Sequence, residues 1–286
     1  MPESFVNQAL ARCSVDGAKY WFTCNPEGPN HWFKVNWIDK AKEKGIIYLH
    51  FTMDDNLSLS EETKERYKKN FVGVFYKRFI LGLWVIAEGA IYQFFADHIN
   101  KFFRNKENLD YDFINIGIDF GGNKSAHAFV ATGIKEDHSI LTALMSEKHT
   151  ATGITPDELY RLIFLFIQKV RLKYGEIATI YVDSAEQTLK NGIKARTDIP
   201  VKDSIKNEII DRIRATTSLM SQDRFFMTED CESLKDAFMG AIYNPKSKTK
   251  DERLDDGTSD VDTLDAFEYS WEKYLKKYEK YGEKVA

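Results

Sequence analysis

Cysteine is scarce in this chain. Cys13, Cys24 and Cys231 are its only three, and no CxxC pair occurs. That excludes a zinc ribbon and a disulfide framework, and it fits a reducing cytosol. Metal-binding histidine spacing is missing too: His31, His50, His98, His127, His138 and His149 are scattered, with no HxxxH and no Cys/His pairing. No apolar run reaches the ~18 residues of a membrane span. The start, Met-Pro-Glu-Ser-Phe, has no basic segment leading into an apolar signal core. No phosphate-binding loop of the form GxxxxGK followed by Ser or Thr occurs, so no such cradle exists for ATP phosphates. Internal repeats and low-complexity tracts are absent. An excess of positive charge is lacking as well. Lys and Arg number 40 against 44 Asp and Glu, a net charge of −4. The molecule is therefore no basic nucleic-acid coat, and nucleic-acid contact requires local patches.

What is present is ordinary for a globular protein: 43% hydrophobic and 29% charged residues. A chain of 286 residues holds one large domain or two modest ones. Residues 19–24 (Lys-Tyr-Trp-Phe-Thr-Cys) read as a short buried strand that stops at the turn-rich Asn25-Pro26-Glu27-Gly28-Pro29-Asn30. Residues 31–44 look helical, 46–52 strand-like, and 60–70 form a charged helix. A domain boundary is expected near residue 90. Beyond it, 113–119, 126–134 and 139–147 read as three successive strands of an antiparallel meander. Thr155-Pro156-Asp157-Glu158 is a helix start, with Thr155 as cap and Pro156 in the first turn. That helix should run to about Tyr174, burying Leu159, Leu162, Ile163, Phe166 and Val170. A strand over 177–182 returns to the sheet, and helices are expected over 205–220, 231–241 and 260–278. The pattern implies an α/β fold, a mixed sheet flanked by helices.

Three separated aspartates carry the chemistry. Asp119 ends the apolar run 113–119 and precedes Phe120-Gly121-Gly122. Ile114, Ile116 and Ile118 share one face of that strand, and Asn115, Gly117 and Asp119 the other. The two glycines let the backbone approach a ligand closely. Asp183 ends a second apolar run, 177–183, and Asp265 lies in the helical Asp262-Thr263-Leu264-Asp265-Ala266-Phe267-Glu268-Tyr269. Asp262 and Asp265 share a helix face. Each has a local explanation: a turn after a strand, a helix cap at Asp183, dipole-favoured acids at a helix start. Their joint occurrence is more telling. Apolar strands ending in carboxylates, with a late acidic helix, suit a metal-dependent nuclease. Phosphodiester cleavage needs charge neutralised on the attacking and leaving oxygens, and carboxylates can hold two hard cations that do so. Lys64, Arg66, Lys68, Lys69, Lys77 and Arg78, interleaved with Tyr67, Phe71, Phe75 and Tyr76, suit contact with a DNA backbone. A solvated helix face explains them equally. His127 falls near Asp119 on the adjoining strand, where a structural role is the simpler reading.

Taken in order, several segments resemble the large subunit of phage terminases, in the branch of tailed phages and prophages of Gram-positive bacteria. They are Tyr20-Trp21-Phe22-Thr23-Cys24-Asn25-Pro26 with His31-Trp32, residues 76–84 with 87–92, residues 116–121, residues 181–185 and residues 265–269. The resemblance covers nearly the whole chain. It implies an RNase H-like nuclease domain over 91–286, preceded by the C-terminal remnant of a P-loop ATPase (motor) domain over 1–90. It implies an endonuclease cutting concatemeric double-stranded viral DNA during genome packaging, in the bacterial host cytoplasm. Two Mg²⁺ or Mn²⁺ ions would be held by Asp119, Asp183 and Asp265, with Asp262 in support. Thr23 and Asn25 fall in the segment that couples ATP hydrolysis to movement, and Lys68, Lys69, Lys77 and Arg78 would contact DNA. The small terminase subunit, the portal protein and a separate ATPase half are the implied partners.

Two departures stand out. The phosphate-binding loop and acidic strand end of the motor are missing, so the chain is expected to begin just after them and not to hydrolyse ATP alone. Relatives also often have histidine where Asp262 stands. Two other readings remain: a non-catalytic docking component that keeps the fold, or an RNase H-like resolvase or transposase. The segment 23–26 and the junction residues argue against the last.

Overall fold

Largely buried, mostly apolar runs build the centre of the sheet. The computed structural model describes residues 3–12, 14–122, 125–247 and 250–285. Among these residues six strands occur: β1 (Phe113–Asp119), β2 (Ala126–Ile134), β3 (Leu141–Thr150), β4 (Ile177–Val182), β5 (Val201–Asp203) and β6 (Phe225–Met227). Their order is β5-β4-β1-β2-β3-β6. Strands β1–β2 and β2–β3 pair antiparallel, while β1–β4, β4–β5 and β3–β6 pair parallel. This is the RNase H-like mixed sheet that the motifs imply, and the antiparallel meander expected at its centre is present.

Among the described residues eight helices of eight residues or more accompany the strands: α1 (Glu3–Arg12), α2 (Glu61–Lys69), α3 (Pro156–Tyr174), α4 (Gln187–Lys194), α5 (Ile209–Ser221), α6 (Glu232–Gly240), α7 (Val261–Trp271) and α8 (Leu275–Val285). Because neighbouring strand residues point to opposite faces, β1 and β2 feed two cores. Ile114, Ile116 and Ile118 join Phe129 and Ala131 under α3, against Leu159, Ile163, Phe166 and Val170. Leu162 is only partly buried there. On the other face Ala128, Val130 and Ile134 pack with Leu219, Phe238, Leu264, Phe267 and Trp271. Phe75 and Ala87 belong to this second core, although they precede the boundary expected near residue 90. Thr155 caps α3 as expected, its hydroxyl accepting from the Glu158 N–H at 3.3 Å.

Several expectations need correction. Residues 19–24 and 46–52 are not strands: no strand precedes Phe113 among the described residues, so neither segment has an edge to pair with. The rings of Tyr20 and Phe22 stack on each other and Phe22 meets Phe33 and Trp37, whereas Trp21 remains 84% exposed. The helix expected over 31–44 is reduced to a short stretch with a wide turn, Lys34–Ile38. There the Asp39 N–H donates to the Lys34 carbonyl at 2.9 Å, and their side chains form an ion pair. The helix over 260–278 breaks after Trp271, where Glu272 turns its carboxylate toward the backbone of residues 205–207. Strand β3 starts two residues late because His138 adopts φ 62° and the Ser139 N–H donates to Asp137. No helix among the described residues is long and apolar enough to cross a membrane.

Candidate active site

The polar face of β1 lies flush against α7. A side chain at Gly117 would put its Cβ 1.8 Å from the Ala266 carbonyl oxygen, so only glycine permits this approach. Asn115 Nδ2 donates to the Ser270 carbonyl at 3.0 Å, and Thr132 Oγ1 on β2 donates to Ser270 Oγ at 3.0 Å. These contacts set the height of α7 on the sheet, and with it the position of Asp265, the residue before Ala266. Asp119 ends β1 on the same face. Asp183 follows β4, whose parallel register aligns Val182 with Ile118, so Asp119 and Asp183 leave adjacent strand ends together. Asp262 stands one turn before Asp265 and accepts the Ala126 N–H at 2.7 Å, tying the start of α7 to β2.

Electrostatics single out Asp119. It is 8% exposed and has no side-chain hydrogen bond or ion pair among the described residues. Burial, then the charges of Asp265, Asp262 and Asp183, push its carboxyl up to about 8, with Lys206 offsetting a little. Burial also raises Asp262, and the Ala126 hydrogen bond opposes that shift. Burial, followed by the fields of Asp265, Asp119 and Asp183, holds the Tyr269 phenol far above its ordinary value. The four aspartates therefore sense one another across a common space. Among the described residues, though, no group of three or more His, Cys, Asp or Glu side chains is gathered tightly enough to grip an ion as it stands.

Cations of the chain partly fill the surroundings. Arg212 Nη1 and Arg253 Nη1 both donate to Asp265 Oδ1, at 3.0 and 3.2 Å. The same two arginines hold Glu268, which is fully buried. Two arginines against Asp265 and Glu268 make a neutral set, so Asp265 is oriented and compensated from behind while Asp119 is not. Lys206 Nζ lies 2.6 Å from Asp183 Oδ1, an oxygen that also accepts the Ala185 N–H at 2.8 Å. Asp183 thus closes a local turn before α4, whose N-cap is Glu186, rather than capping that helix, and is also a member of the cluster. An all-oxygen set around an uncompensated, buried carboxylate suits a hard divalent cation, so the residues fit the ions that the motifs imply.

Other expected residues lie elsewhere. Arg78 is turned inward, 1% exposed, and joins Glu27, Asp251 and the Val85 carbonyl. This corrects its reading as a DNA contact, since a buried guanidinium with its donors engaged cannot meet a phosphate. Lys68 pairs with Glu65 at 2.8 Å on α2, while Lys69 and Lys77 are exposed. Thr23 and Asn25 lie in a segment without regular structure, Thr23 exposed and Asn25 half-buried. Gly121 also needs correction: a Cβ there would lie 2.4 Å from the Ala126 backbone, so it serves the approach of its own chain. His127 is buried, with Nδ1 accepting the Gly121 N–H at 3.1 Å, in the structural role expected. Sequence reasoning missed Arg212, Arg253, Glu268, Glu272 and Lys206. One signal was available: Asp262, Asp265, Glu268 and Glu272 recur at helical spacing through an otherwise apolar segment, marking a polar stripe that needs partners.

No protein-family profile matches the chain, and no curated protein does. Solved structures do. Over 94% of its length the chain is similar to the large terminase of a thermophilic bacteriophage, at 34% identity and a TM-score of 0.79 in one crystal form. The ADP complex of that phage protein gives 34% identity and a TM-score of 0.77 over 94% of the chain. Its ATP-γ-S complex gives 34% and 0.76 over 93%. The chain spans 65% of the length of the phage protein in the first two, and 66% in the third.

Proposed function

We propose that the chain belongs to the terminase large subunits and acts as a metal-dependent endonuclease on double-stranded DNA during viral genome packaging. The observation that carries this reading is Asp119: a carboxylate with no ion pair among the described residues, raised by burial and then by three neighbouring aspartates, at the end of a central strand of an RNase H-like sheet. The similarity to the large terminase of the thermophilic phage supports it. Asp119, Asp183 and Asp265 would hold Mg²⁺ or Mn²⁺, with Asp262 in support. Two such ions neutralise the attacking and leaving oxygens of a phosphodiester and lower the pKa of water. The chain's own contribution is placement. Arg212 and Arg253 fix the Asp265 carboxylate from one side, Gly117 sets the depth of α7, and burial of Asp119 excludes bulk water. Residues 91–286 form the nuclease in this reading, and 1–90 the end of a motor domain, with Thr23 and Asn25 in its coupling segment. Lys68, Lys69 and Lys77 remain candidates for phosphate contacts. A small terminase subunit, a portal protein and an ATPase half would be partners in the host cytoplasm.

The test is nicking of supercoiled plasmid by the purified chain in Mg²⁺ or Mn²⁺. Wild type is expected to nick with little sequence preference, since phosphate contacts carry no base information. Asp119→Asn should fall to background, a loss on the order of 100-fold or more, while Asp262→Asn retains part of the activity. A second reading is favoured by the Lys206–Asp183 ion pair, which fills part of the cluster: a packaging component that keeps the fold without cleavage. Wild-type protein that cuts no duplex in either metal would establish that reading instead.

A further inference from the structure

Lys206 is held in a way that a free surface lysine is not. It has φ 55°, in the left-handed region that non-glycine residues rarely adopt. The backbone N–H groups of Ile205, Lys206 and Asn207 donate to the Glu272 carboxylate at 2.9, 2.8 and 3.0 Å, and Asn207 Nδ2 donates to the Glu272 carbonyl. Glu272 is itself 2% exposed, immediately after α7. Three successive N–H groups on one buried carboxylate fix the loop, and the fixed loop delivers the Lys206 ammonium to Asp183 Oδ1 at 2.6 Å. The buried cations nearby, Arg212 and Arg253, are committed to Asp265 and Glu268, whereas Lys206 approaches from the exposed side. Among the described residues, Lys206 is therefore the cation whose departure would leave the front of the cluster open.

We infer that Lys206 is a built-in counter-ion of the acid cluster, clamped through Glu272, which occupies the place of a divalent cation and must be displaced from Asp183 when one enters. The inference rests on reading the cluster as a cation site. It assigns Lys206 a positioning role: the ammonium relieves carboxylate repulsion in the ion-free protein and competes with the ion. Competition of this kind is reciprocal. Whatever the lysine adds to the ion-free fold it subtracts from ion affinity.

The variant Lys206→Met in the full chain tests this, because methionine keeps a long side chain and the same backbone constraint while removing the charge. Thermal melting with and without Mn²⁺, and calorimetric Mn²⁺ titration, give readouts independent of cleavage. Without Mn²⁺ the variant should melt below wild type. At saturating Mn²⁺ the gap should close or reverse, and Mn²⁺ affinity should rise roughly threefold or more, the scale of a partly exposed ion pair. A lysine that only supports the loop would lower both melting temperatures equally and leave the affinity unchanged, which would overturn the inference. Weaker Mn²⁺ binding by the variant would overturn it as well. If wild type and variant alike bind no Mn²⁺, the cation-site reading fails and takes this inference with it. Binding by wild type with no gain in the variant removes the counter-ion role alone.

Discussion

A carboxyl buried among other carboxyls weakens the protein that contains it once it ionises. Burial and three like charges raise Asp119 from 3.8 to about 8. A folded-state value above the unfolded one means that the native state binds the extra proton. The stability associated with it is complete in acid and is lost as pH rises toward and through 8. Asp119→Asn removes that dependence with little change of volume. Without metal, the variant should match wild type near pH 4 and exceed it at pH 8–9 by on the order of 1–3 kcal/mol, one pKa unit being about 1.4 kcal/mol. Denaturant unfolding at the two pH values checks this. A variant less stable than wild type at pH 8–9 would show that Asp119 is a structural cap.

Among the elements, α7 decides the geometry, and glycine decides where α7 sits. Gly117→Ala would drive a methyl group into the Ala266 carbonyl and to 2.8 Å from the Ser270 nitrogen. Backbone cannot yield as a flexible side chain can, so a loss of about 2–4 kcal/mol is expected in urea unfolding. Gly122→Ala meets nothing within 4 Å and should be nearly neutral. Much of this sheet was legible beforehand. The three central strands, the Thr155 cap and the separation of Ile114, Ile116 and Ile118 from Asn115, Gly117 and Asp119 follow from period-two alternation and turn chemistry. Strands β5 and β6 did not show because three residues are too few for a period. Residues 19–24 and 46–52 carried strand-like composition without a partner strand, and composition cannot report that lack. At the site, the aspartates were legible as strand and helix termini. The arginines behind Asp265 were not, because Arg212 and Arg253 lie 53 and 12 residues away in sequence. Nothing local distinguishes a buried arginine from a solvated one. Arg78 shows the same blindness in reverse, a basic residue in a basic cluster that folds inward.

At the scale of the whole molecule, Arg78 joins distant parts. Its guanidinium meets Glu27, 51 residues earlier, and Asp251, 173 residues later. Arg78→Met would strand Asp251 in a half-buried site and cost about 3 kcal/mol. The sheet should survive, because its cores do not use this contact. Limited proteolysis should then cut the exposed segment 14–60 sooner than in wild type, with the fragment from residue 91 onward persisting. Equal cleavage rates in the two proteins would show that the contact does not anchor that segment. The same long reach bears on how the protein is made. Strands β1 to β3 are local and can pair while the ribosome is still at work, whereas contacts of large sequence separation must wait. Arg78 waits for residue 251, and Asp119 and Asp183 wait for α7, which is translated after both Arg212 and Arg253. A nascent chain thus acquires its positive partners before the helix that crowds its acids together, and no stage of synthesis exposes the assembled cluster without them.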